Sequence, residues 1–144
     1  MGKDKVNILL VEDDDVAAEK IRGSFRKAEL QCDLHHAING IEALEILRGK
    51  GKHKQLSRPY MILLDIRMPK MDGIEFLKEL RGDDDLRDSV VFVLTTSDSE
   101  SDKKAAYKRQ VAGYIVKSKL DKSCSKLIEM LVNYWEIVDL PGKK

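Results

Sequence analysis

The sequence is poor in cysteine and aromatic residues, has no long apolar run and carries almost no excess of charge. Its 2 Cys form no CxxC pair and no secretory leader is evident, so we expect reduced thiols in a cytoplasmic protein. No apolar run is long enough to cross a membrane. A formal net charge of +1 predicts no binding to nucleic acid or to a membrane surface. The remaining composition, 42% hydrophobic and 35% charged over 144 residues, predicts one globular domain spanning 1–144.

Short apolar runs alternate with longer amphipathic segments along the whole chain. The runs predict strands at 6–11, 60–64, 90–94 and 114–116, with a weaker edge strand at 31–37. Helical spacing predicts helices at 16–28, 41–47, 74–80, 102–110 and 120–140. Strands buried on both faces read as continuous apolar runs, and βαβ crossovers have one hand. The pattern therefore predicts an α/β fold, a doubly wound five-stranded parallel sheet.

Polar side chains follow four of these strands. Glu12 and Asp13 come after the first, Asp65 after the third, Thr95 ends the fourth, and Lys117 follows the fifth. In an open parallel sheet, ligands bind outside the carboxyl ends of the strands, so these groups are expected to converge. Clustered carboxylates need a hard cation such as Mg²⁺, and a carboxylate can attack phosphorus with a lysine and a hydroxyl stabilising the charge. The combination favours phosphoryl transfer.

Four motifs in order carry a family resemblance: ILLVEDDD, LLDIRMPKMDGIEFL, VVFVLTTSD and GYIVKS. Together they make the chain similar to the receiver domains of bacterial two-component response regulators. The resemblance implies a flavodoxin-like fold with strand order 2-1-3-4-5. It also implies a signalling protein, not a classical enzyme, that accepts a phosphoryl group from a sensor histidine kinase and loses it again slowly.

The resemblance also implies a role for particular residues. Asp65 would be the phosphoacceptor, Thr95 the switch hydroxyl, Lys117 the lysine that contacts the phosphoryl group, and Tyr114 the switch aromatic on the way to the helix 4 to helix 5 face. Mg²⁺ would be held by Asp13, Asp65 and the main-chain carbonyl of Arg67, with Glu12 acting through water. Asp14 and Asp15 are interpreted as charges at a helix N-terminus.

The chain departs from the family pattern after Lys117, where Ser118 replaces the usual proline and its cis bond. A cis bond before a non-proline residue costs about 2.5–4 kcal/mol. Either the bond is trans and the lysine loop is reshaped, or the fold supports the strain. A receiver that binds partners without phosphorylation therefore stays an alternative. A phosphatase of the haloacid dehalogenase type is disfavoured, because Arg67 stands where its second aspartate belongs.

The last segment, from about residue 120, predicts a long helix and tail with two apolar stripes. The first should pack on the sheet and comprises Cys124, Leu127, Ile128, Leu131, Trp135 and Val138. The second comprises Met130, Tyr134, Ile137 and Leu140. A homodimer that buries the second stripe is favoured over a tail folded back on its own domain. This ending resembles the receivers that serve bacterial phytochrome kinases, which implies a bacteriophytochrome as the kinase.

Overall fold

The computed structural model describes residues 5–142 as five βα units in one layered fold. The strands are β1 (Val6–Val11), β2 (Cys32–Ala37), β3 (Tyr60–Leu64), β4 (Val90–Thr95) and β5 (Gly113–Val116). The helices are α1 (Asp15–Ala28), α2 (Gly40–Arg48), α3 (Gly73–Gly82), α4 (Glu100–Tyr107) and α5 (Ser125–Ile137). The sheet is parallel throughout and has the order β2-β1-β3-β4-β5, which confirms the predicted fold.

Alternate strand residues feed two separate cores, as the period of two along a strand requires. On one face Leu9 and Ile62 pack with α2, α3 and Ala106 of α4. On the other face Ile8 and Met61 pack with α1 and α5. All five residues of β3 are buried, since this central strand has neighbours on both edges and helices on both faces. Among the helices within residues 5–142, none combines the length and apolar character that a bilayer crossing requires.

The helix boundaries follow local side-chain chemistry. Asp14 caps α1 by accepting from the backbone N–H groups of Val16 and Ala17, which agrees with the predicted helix-terminus role. Helix α4 begins at Glu100 because Ser99 caps it, two residues before the predicted start. The prediction of one helix over 120–140 was wrong at its start. Asp121 accepts from the backbone and hydroxyl of Ser125, which delays α5 to that residue.

The two apolar stripes of α5 do not divide as predicted. Five residues of the first stripe are buried, but Val138 caps the helix and is 37% exposed. Of the second stripe, Met130, Tyr134 and Leu140 pack partly against the chain's own core, and the Tyr134 ring meets Phe92 edge-on at 5.1 Å. Only Ile137 of that stripe is strongly exposed, at 82%.

Candidate functional site

Three carboxylates meet where β1 and β3 end. Glu12 and Asp13 follow β1, Asp65 follows β3, and each offers a ligand oxygen within 4.8 Å of the others. The main chain fixes their positions, because the Asp65 N–H donates to the Val11 carbonyl at 3.0 Å and continues the β1–β3 ladder. The predicted convergence of Glu12, Asp13 and Asp65 is thus a feature of the structure.

Burial makes negative charge on this carboxylate cluster unfavourable. Glu12 is 1% exposed and Asp65 7% exposed, whereas Asp13 faces solvent. Burial and the neighbouring Asp65 charge raise the pKa of Glu12 to about 7, and Lys117 opposes that shift. The Lys117 ammonium donates a hydrogen bond to Glu12 and lies 3.9 Å from Asp65 Oδ2. One cation therefore already contacts two of the three carboxylates.

The donor set suits a hard divalent cation. Three carboxylates within 4.8 Å of one another supply the oxygen ligands that Mg²⁺ prefers, and exposed Asp13 leaves the site open to water. The Arg67 N–H points at Asp65 Oδ1 at 3.4 Å, so the Arg67 main chain borders the cluster, while the role of its carbonyl as a ligand stays a prediction. A positioning residue that the sequence did not indicate is His36, whose Nε2 donates to the Glu12 carbonyl at 2.7 Å.

Gly73 lets α3 pack directly onto the loop that carries Asp65. A Cβ at this position would lie 2.8 Å from Ile66 Cα and closer still to the Asp65 carbonyl oxygen. The Gly73 N–H donates to the Ile66 carbonyl at 2.9 Å, and Asp72 caps α3 in a capping box. The helix start thereby buttresses the backbone that aims the Asp65 carboxylate.

As predicted, Thr95 ends β4, Tyr114 lies one residue into β5, and Lys117 follows β5. Thr95 is fully buried, and its hydroxyl accepts from the Ser97 N–H at 3.3 Å. The half-buried Tyr114 hydroxyl, whose pKa burial raises, donates to the Ser97 carbonyl at 2.9 Å. Within residues 5–142 the cis peptide is Arg58–Pro59, so Lys117–Ser118 is trans and Lys117 begins a short 3₁₀ turn, Lys117–Lys119.

A second polar group connects the Asp65 loop to α4. The Arg67 guanidinium pairs with Asp102 Oδ2 at 2.7 Å, and the Ser97 hydroxyl donates to the same oxygen at 2.6 Å. Sequence reasoning considered only the Arg67 carbonyl and missed its side chain. No spacing signal could have paired residues 35 positions apart in chain order.

Comparison with known families identifies the family of the chain. The sequence description of the response regulator receiver domain matches residues 8–129. The chain belongs to this family. This receiver is 35% identical to response regulator Rcp1 of Synechocystis sp. over 136 residues, which is 94% of this chain and 92% of Rcp1.

Solved structures agree with that assignment. The Mn²⁺-bound form of Rcp1 matches the receiver with a TM-score of 0.81 and 34% identity, covering 94% of this chain and 99% of that one. The phosphorylated cyanobacterial phytochrome response regulator RcpA gives 0.83 and 32%, covering 94% and 98%. The predicted family and flavodoxin-like fold are confirmed. Membership implies a histidine kinase as the signalling partner.

Proposed function

We propose that this receiver accepts a phosphoryl group from a phosphohistidine onto the Asp65 carboxylate in a Mg²⁺-dependent reaction. The observation that carries the proposal is the meeting of Glu12, Asp13, Asp65 and Lys117 at one edge of the sheet. Asp13, Asp65 and the Arg67 carbonyl are the proposed ligands of the ion, with Glu12 acting through water. Bound there, Mg²⁺ would neutralise charge that develops on the phosphoryl oxygens.

In the transfer itself, an Asp65 carboxylate oxygen attacks phosphorus in line with the nitrogen of the phosphohistidine. The new O–P bond forms as the N–P bond breaks, and the imidazole keeps the electron pair. Lys117 is close enough to exchange its Glu12 contact for a phosphoryl oxygen, since its ammonium already lies 3.9 Å from Asp65 Oδ2. Water later attacks phosphorus and releases inorganic phosphate, which restores the Asp65 carboxylate.

The switch is proposed to run through Thr95 and Tyr114. Thr95 is buried at the end of β4 and accepts from the Ser97 N–H, so movement of its hydroxyl toward a phosphoryl oxygen would disturb that contact. Tyr114 donates to the carbonyl of the same Ser97, so a shift of Ser97 changes the Tyr114 contact as well. The α4–β5–α5 face would change in consequence.

Acetyl phosphate labelling tests the acceptor. With Mg²⁺, the wild-type chain should form one acid-labile phosphate, and Asp65→Asn should form none. Asp33→Asn is the matched control, because Asp33 makes an exposed pair with Lys5 far from the cluster along β2. A wild-type chain that takes no label would instead support a receiver that binds partners without phosphorylation.

Two finer proposals concern partners. Similarity to Rcp1 and to the phytochrome response regulator RcpA supports a light-sensing phytochrome kinase as the phosphoryl donor. It predicts faster transfer from such a kinase than from an unrelated one. A homodimer is supported by Ile137, exposed at 82%, with Tyr134, Met130 and Leu140 beside it less available than the sequence indicated. Ile137→Asp should lower the dimer fraction in sedimentation if the proposal is right.

A further inference from the structure

The contacts around Asp102 form a chain that runs from Asp65, the proposed phosphoacceptor, to Thr95 of the proposed switch. From Asp65 the chain of contacts passes to the Arg67 N–H, then from the Arg67 guanidinium to Asp102. Asp102 accepts from the Ser97 hydroxyl, and the Ser97 N–H donates to the Thr95 hydroxyl. The ends of β3 and β4 are therefore tied together a second time, through the first turn of α4.

The two sides of the central ion pair are held very differently. The Arg67 side chain is 65% exposed, so its guanidinium can swing through solvent at little cost. The Asp102 side chain is 14% exposed and sits in the first turn of α4, three residues after the capping Ser99. When the pair opens, Arg67 is the partner that moves, while Asp102 stays with Ser97 as its remaining side-chain donor.

We propose that Asp102 is a positioning residue that holds the Arg67 guanidinium on α4 and away from Asp65, so that phosphorylation must compete with Asp102 for Arg67. The inference rests on the proposed function of Asp65. A phosphoryl group carries close to two negative charges and three strong acceptor oxygens, against one charge on Asp102. It would stand beside a residue whose own N–H is 3.4 Å from Asp65 Oδ1.

The consequence lies on α4. Loss of Arg67 leaves Asp102 with Ser97, whose carbonyl accepts from Tyr114 and whose N–H binds Thr95. Helix α4 is only lightly anchored in the core, because Ala106 is the buried residue among its eight. The ion pair thus transmits the charge of the phosphoryl group to α4, alongside the Thr95 hydroxyl.

The test follows the lifetime of the phosphorylated full chain after labelling with acetyl phosphate and Mg²⁺ and removal of the donor. Asp102→Asn keeps the shape but weakens the hold on Arg67, so Arg67 moves to the phosphoryl group and shields it. We expect the lifetime to lengthen about two- to five-fold, the scale of a partly exposed ion pair. Asp102→Glu keeps the charge and should restore a lifetime close to wild type.

The decisive comparison repeats Asp102→Asn in an Arg67→Met background, where the main-chain carbonyl of residue 67 is retained. If Asp102 acts through Arg67, the second substitution has no further effect on the lifetime. Glu100→Gln is the matched control, because it breaks a pair with Lys103 in the same helix turn that does not touch the Asp65 loop. That variant should decay at the wild-type rate.

The failures are distinguishable. If the wild-type chain takes no phosphate, the proposed function fails and this inference falls with it. If the wild type is labelled but Asp102→Asn changes the lifetime by the same factor with and without Arg67, only the inference is overturned. Thermal unfolding of each variant excludes lifetimes that change because the fold is damaged.

Discussion

Replacing Gly73 with alanine should destabilise the protein, although alanine is normally the better helix residue. Gly73 opens α3, where alanine would gain up to about 1 kcal/mol from helix propensity. The added Cβ would lie 2.8 Å from Ile66 Cα and still closer to the Asp65 carbonyl oxygen, both backbone atoms that no rotamer change can move. Overpacking of this kind costs about 1–3 kcal/mol, and the clash outweighs the gain.

The measurement is thermal unfolding, with Gly82→Ala as the control in the same helix. Gly82 ends α3 with nothing within 4 Å of its Cβ position, so alanine there should be neutral or stabilising. After the helix-propensity gain is subtracted, the net cost is about 2 kcal/mol at most, and at about 2–4 °C per kcal/mol for a chain of this size Gly73→Ala should lower Tm by up to about 8 °C. It should also slow acetyl phosphate labelling, since the loop that aims Asp65 has to shift. A Gly73→Ala protein as stable as Gly82→Ala would refute the steric argument.

Two further predictions concern stability away from the site. Arg81→Met removes four hydrogen bonds to main-chain carbonyls in the segments 87–89 and 109–110, so denaturant unfolding should show a loss of about 2–4 kcal/mol in the free energy of unfolding. Arg26→Met is the control, because its side chain is 67% exposed and its loss should change the free energy of unfolding little. Equal effects of the two substitutions would contradict the stabilising role of Arg81. Hydrogen bonds from Ser125 and Ser123 hold the pKa of Asp121 well below its usual range, so Asp121→Ala should lower Tm at neutral pH. The stabilisation from a depressed pKa is complete above the unfolded value and is lost progressively as the pH falls toward the folded value. That difference in Tm should therefore shrink as the pH falls below about 4, and a constant difference would exclude an ionic cap.

Most of the fold could be predicted because the strands are continuous apolar runs. A run such as 60–64 can be recognised as a strand from the sequence alone, since both faces and both edges of β3 are buried and its residues are therefore hydrophobic. The carboxylate cluster followed from the same reasoning, because the ends of parallel strands must meet at one edge. Glu12, Asp13 and Asp65 therefore needed only the strand ends to be correct.

The sequence-based predictions failed where side-chain contacts, and not the spacing of apolar residues, determine the structure. The apolar pattern of α5 extends back to Leu120, yet the Asp121 cap and a left-handed Cys124 hold the helix off until Ser125. The second stripe was predicted to be available to a partner, because apolar spacing alone cannot show that Tyr134 packs on Phe92. Arg67 and Asp102 are brought together by the packing of loops around the sheet, which one-dimensional spacing does not encode.

β3 and α4 differ in how well they tolerate substitution, because β3 is buried and α4 is largely exposed. The strand that carries Asp65 is hydrogen-bonded along both edges and covered on both sides, so almost any altered side chain there disturbs the interior. Helix α4 touches the interior through Ala106 and exposes most of the rest, so its surface can drift at low structural cost. Proteins that evolve from such a chain could therefore bind new partners through α4 and keep the same phosphoryl-transfer chemistry.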